Sequence, residues 1–146
     1  MHTTGMAILG PVVALAAWTM VMWLWMYATR IPAIGRLPKT GKAGEDRGWT
    51  GAMLEDLLPR EVQWKAHNFN HLHEAPTVFY AIALTLALIG AGDGVNATLG
   101  WAYVGLRVVH SVWQATVNSV MPRFVLFTLS SVVLTALILH AAMAIF

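Results

Sequence analysis

The stretch from His67 to Glu74, HNFNHLHE, packs three imidazoles, two carboxamides and a carboxylate into eight residues. On a helix His67, Asn70, His71 and Glu74 fall at i, i+3, i+4 and i+7, so they line one face over two turns. A second stripe follows the same rule: Arg107, His110, Ser111, Gln114 and Asn118 stand at i, i+3, i+4, i+7 and i+11. Both stripes lie in or beside long apolar runs, where ionisable groups are costly and turn into a bundle or a watered cleft. A lone arginine at mid-membrane depth costs roughly 2.5–3.5 kcal/mol. Glu74, at the mouth of the apolar run 75–91, is therefore the partner expected for Arg107. Two imidazoles and a carboxylate (His67, His71, Glu74), with His110 joining, could also ligate a metal. The spacing is not H-E-x-x-H and Asn70 shares the face, so no metal site is expected. The plainer alternative is that the stripes are interhelical glue, worth ~0.6–2 kcal/mol per bond in a membrane.

Composition says what must position these residues. Of 146 residues 58% are apolar and only 11% charged, with a mean hydropathy of +0.62; soluble chains run near 25% charged. The chain has no cysteine, which excludes disulfides, thiolate metal sites and a cysteine nucleophile. A net charge of +2, most of its cations in one segment, excludes nucleic acid as a partner. Seven tryptophans and three tyrosines suit a protein anchored at two membrane interfaces.

The apolar runs predict a single domain, 1–146, with four membrane helices at about 6–28, 60–91, 95–120 and 123–146. The first run has no preceding Lys or Arg and no A-x-A site, which argues against a signal peptide. Ile31-Pro32 is expected to end the first helix, and 30–59 to form a polar loop rich in Gly, Pro and Lys between Gly35 and Gly48. Trp49, Met53 and Leu57, four apart, predict a short interfacial helix within it. Pro59-Arg60-Glu61 opens the second helix, which Pro76 kinks. Pro122 is expected to separate the last two helices. Seven of the nine Lys and Arg lie between the first two helices. The positive-inside rule then puts that loop and the third in the cytoplasm and both termini outside.

These residues resemble the MAPEG family, membrane-associated proteins in eicosanoid and glutathione metabolism. The resemblance covers the whole chain in architecture. It is concentrated in Lys65–Pro76, similar to a bacterial branch with N-H-L-x-E-x-P-T in helix two, and in Arg107–Arg123. Arg107-x-x-His110-Ser111, with Arg123 sixteen residues after Arg107, is similar to the prostaglandin E synthase type. Gln114 and Phe127 stand where that type has tyrosines, and Arg60-Glu61 reverses the family's E-R. The resemblance implies an all-α four-helix protomer, a homotrimer in the lipid bilayer of the bacterial inner membrane, and glutathione bound between protomers near the cytoplasmic face. It implies Arg123 as the catalytic residue, with Lys65, His67, Asn70, Glu74, Arg107, His110 and Gln114 binding glutathione. Within such a site Lys65 and Arg107 would take its carboxylates, Glu74 its ammonium and Asn70 an amide, and Arg123 would favour the thiolate. The activity implied is a glutathione-dependent transferase or peroxidase acting on small lipophilic electrophiles. The alternatives are a non-catalytic assembly role in a larger membrane complex and, third, transport.

Overall fold

The computed structural model describes residues 4–37 and 50–146. These form six helices: α1 (Leu9–Gly35), α2 (Gly51–Leu57), α3 (Arg60–His71), α4 (Ala75–Leu88), α5 (Val95–Thr116) and α6 (Val120–Ile145). No strand occurs among the described residues. Two helices, α1 and α6, are long and apolar enough to cross a membrane. Trp49 and the middle of the expected 30–59 loop, 38–49, lie outside the described residues.

Several expected boundaries moved, each for a local reason. α1 runs through Pro32 to Gly35 instead of ending at Ile31-Pro32. Proline removes one amide hydrogen bond, and here the last turn is closed by the Arg36 and Leu37 amides on the Ala33 and Ile34 carbonyls. The short helix appears as α2, opened by Thr50, whose hydroxyl accepts from the Met53 amide at 3.3 Å. α5 stops at Thr116 because Asn118 takes the left-handed conformation (φ 55°), which asparagine tolerates. α6 then starts at Val120, so Pro122 sits in its first turn rather than before it.

The second predicted helix is two. α3 ends at His71 and α4 begins at Ala75. Pro76 has no amide proton, and its ring would press on the Leu72 carbonyl four residues back. The chain therefore turns through Leu72, His73 and Glu74.

The core is Leu15 and Met22 of α1, Phe79, Ala83 and Leu86 of α4, Tyr103 and Val104 of α5, and Leu134 and Leu137 of α6. Phe79 stacks on Tyr103 at 4.5 Å and 18°. One end of the molecule is fastened by Asp93, in the turn between α4 and α5. Its carboxylate accepts from the Gly5 amide (2.6 Å) and the Ala7 amide (3.0 Å), which holds the carboxyl below the ordinary aspartate range. Gly92 is required there, since a Cβ would strike the Gly5 carbonyl oxygen. At the same end His140 of α6 bonds Asn96 of α5 at 2.6 Å. The N-terminal segment, the end of α6 and the 90–94 turn thus share one end.

Candidate functional site

The α5 stripe faces inward. Arg107 is 1% exposed, His110 2%, Ser111 0% and Gln114 5%. The face predicted on the second helix does not. His67, Asn70 and Glu74 are exposed and His71 is half-buried. The buried side of α3 carries Gln63, Ala66 and Asn68 instead. Asn68, fully buried, donates from Nδ2 to the Ser111 hydroxyl at 2.5 Å and ties α3 to α5. Sequence reasoning passed over it. The signal was the apolar arc Val62, Ala66, Phe69 and Leu72 at i, i+4, i+7 and i+10, with Asn68 at its edge.

The expected pair between Glu74 and Arg107 does not form. The turn after His71 swings Glu74 outward, where its side chain is 65% exposed, and its carboxylate meets His71 Nδ1 at 2.6 Å. Arg107 is held by the break itself. With α3 ended, the His71 carbonyl accepts from Arg107 Nη2 at 3.2 Å as well as from the Glu74 amide at 3.3 Å. Such a cation at a helix C-terminus is favourably placed. Arg107 Nε and Nη1 have no hydrogen-bond partner among the described residues. Its guanidinium carbon lies 5.9 Å from the Phe127 ring.

Beside this cation is a cleft of about 370 Å³, lined by His71, His110, Val120, Arg123, Phe124 and Phe127. The His71 ring lies 5.3 Å from His110 and 5.5 Å from Phe127, centre to centre. Arg123, in the first turns of α6, donates from Nη1 to Asn118 Oδ1 at 2.6 Å, which aims its side chain back across the α5–α6 turn. Its lining brings three polar side chains (His71, His110, Arg123) together with Val120, Phe124 and Phe127, which suits a ligand with an anionic part and an apolar part.

The remaining expected residues are dispersed. His67 bonds Glu55 of α2 at 2.5 Å, and next to it Gln63 Nε2 donates to the Leu54 carbonyl at 2.5 Å, so α2 is docked on α3. His67 and Asn70 line a separate cavity of about 360 Å³ with Arg30 and Glu55. Lys65 Nζ donates to the Glu61 carbonyl at 2.7 Å and lies 5.6 Å from the Trp25 ring, in neither cavity. Gln114 is enclosed by the core. Of the residues predicted to bind or react, His110 and Arg123 meet at the cleft and Arg107 stands behind it. His71 joins them, though the sequence suggests it only as a candidate metal ligand and not among the residues for glutathione.

Among known proteins, no curated protein and no solved structure matches the chain. The family model of the MAPEG family matches residues 8–143, from the residue before α1 to within the last turn of α6. The chain therefore belongs to the MAPEG family, membrane proteins of glutathione and eicosanoid metabolism.

Proposed function

We propose that the protein is a membrane-bound glutathione-dependent transferase or peroxidase acting on lipophilic electrophiles. The observation that carries this is the cleft at the α5–α6 turn, which gathers Arg123 and two imidazoles with the apolar side chains of Val120, Phe124 and Phe127. A thiol attacks as its thiolate, and a guanidinium beside it favours that form. The apolar side chains are where a substrate arriving from the bilayer would rest. Arg107, buried behind the cleft with two N–H groups unengaged, is suited to a ligand carboxylate.

In this reading α1, the α3–α4 pair, α5 and α6 are four spans in the inner membrane, with both termini outside. His67 and Asn70 face away from the protomer interior. They would reach the same tripeptide only from a neighbouring copy, which supports a homotrimer with shared sites. Lys65, which lines neither cavity, and Gln114, enclosed by the core, take no part in this reading. A second reading, a non-catalytic assembly role, draws on the engagement of His67 with Glu55 and Glu74 with His71 inside one protomer.

Turnover of a chlorodinitrobenzene-type electrophile by the detergent-solubilised protein separates the two. The enzyme reading expects glutathione-dependent turnover that falls roughly 10²–10³-fold in Arg123→Ala, the loss typical of removing one donor to a developing anion. No turnover in wild type, together with no thermal shift on adding glutathione, would leave the assembly role.

A further inference from the structure

His71 sits at the cleft in a manner its sequence neighbours do not share. Its ring packs toward His110 and Phe127 and lines the cavity, while its Nδ1 is engaged from behind by Glu74 Oε2 at 2.6 Å. Most Glu and His three residues apart on a surface make an incidental pair. This pair differs because its imidazole lines the cleft, while Glu74 stands outside the helix at the break before Pro76, with φ −95° and ψ −103°. A carboxylate accepting at Nδ1 fixes the neutral tautomer with its proton there. The lone pair is then on Nε2, which has no hydrogen-bond partner among the described residues. A carboxylate, an oriented imidazole and an open acceptor nitrogen form the orienting half of a nucleophile-activating triad.

We infer that the Glu74–His71 dyad is the general base for the thiol in this cleft, separate from the role of Arg123. The inference rests on the thiol chemistry proposed above. His71 Nε2 takes the S–H proton and becomes imidazolium, stabilised by the Glu74 carboxylate. The sulfur keeps the electron pair, held as thiolate by Arg123. With an aryl chloride the sulfur then bonds to the ring carbon that bears chlorine, and the C–Cl bond breaks with its electrons to give chloride. The imidazolium releases its proton to water and the dyad is restored. No oxidant or reductant is needed.

The test uses the full-length protein in detergent, with glutathione and chlorodinitrobenzene, across a pH range from mildly acidic to alkaline. The charged and titratable groups facing His71 are Glu74 on its own segment, Arg107 and His110 from α5, and Arg123 from α6, so each profile is compared with wild type and not with a free imidazole. Expected for His71→Gln is glutathione affinity near wild type by calorimetry and kcat about a hundredfold lower at neutral pH. Its rate should climb with pH toward wild type as the thiol ionises unaided. Glu74→Gln changes an exposed side chain and should lower kcat about tenfold with the same recovery, deciding the matter should His71→Gln fail to fold. Wild-type kcat and pH profile in these variants, or a loss of binding and turnover together at every pH, would overturn the dyad and leave glutathione chemistry standing. A wild-type protein that neither binds glutathione nor turns over would remove both.

Discussion

Arg107→Met decides whether this buried cation is a stabilising partner or a functional liability. Taking a guanidinium to membrane depth costs about 2.5–3.5 kcal/mol on insertion scales. Against that stands one charge-assisted hydrogen bond to the His71 carbonyl, at 3.2 Å near the long end of the range. Such bonds are worth about 1.5–3 kcal/mol. The Phe127 ring at 5.9 Å is at the limit of cation–π contact and adds about 0.5 kcal/mol. The terms nearly cancel, and no acid among the described residues forms an ion pair with Arg107. Methionine keeps the unbranched stem, and the His71 carbonyl keeps the Glu74 amide. The apo protein with Arg107→Met should therefore unfold in detergent within ~1 kcal/mol of wild type, by the balance just drawn. Removing one member of a true buried ion pair costs about 3–5 kcal/mol instead. A loss of that size in thermal or denaturant unfolding would refute the reasoning and mean that Arg107 has a buried counter-charge. Glutathione-dependent stabilisation should vanish in the same variant.

Ser111→Ala leaves the fully buried Asn68 Nδ2 without its acceptor and should cost about 1–3 kcal/mol in the same unfolding assay. Adding Asn68→Leu should recover most of that loss, because replacing both partners by apolar groups is nearly neutral; strictly additive losses would show the bond does not couple α3 to α5. Asp93, its carboxyl held low by the Gly5 and Ala7 amides, contributes stability that is present above the ordinary aspartate value of about 3.9 and is lost as pH falls through its lower folded value. The amide proton shifts of Gly5 and Ala7 should move together over that acidic window in wild type and not in Asp93→Asn; a flat titration in wild type would remove the clasp.

What the sequence made legible was the all-helical architecture and the α5 stripe. Arg107, His110, Ser111 and Gln114 are polar among apolar neighbours at helical period, and within an apolar segment such residues have only one place to go. The second helix was harder for the opposite reason. Its first half, α3, carries an apolar arc of Val62, Ala66, Phe69 and Leu72, but the expected face followed the densest cluster of ionisable groups, which proved to be the outward one. Asn68 was hidden because its importance comes from Ser111, 43 residues away, and not from its own neighbours. Boundaries at proline were misplaced because one missing amide does not decide whether a helix stops. Pro32 is carried inside α1, Pro122 is carried in the first turn of α6, and only Pro76 interrupts.

Pro76 succeeds where the other two do not because the broken ends find partners. An interrupted helix strands carbonyls, and a buried one left unmet costs free energy. At this break the His71 carbonyl is met by Arg107, a residue that itself needed an acceptor in the same low-dielectric region. Each group solves the other's desolvation problem, and neither could have been assigned without the other. The same turn holds Glu74, whose carboxylate engages the His71 ring three residues back, so the cation's acceptor and the acid–imidazole pair meet at one break in the helix. An unbroken helix through residues 60–91 would have spent the His71 carbonyl inside the helix and left Arg107 without its acceptor. The site therefore depends on a backbone defect more than on any single side chain.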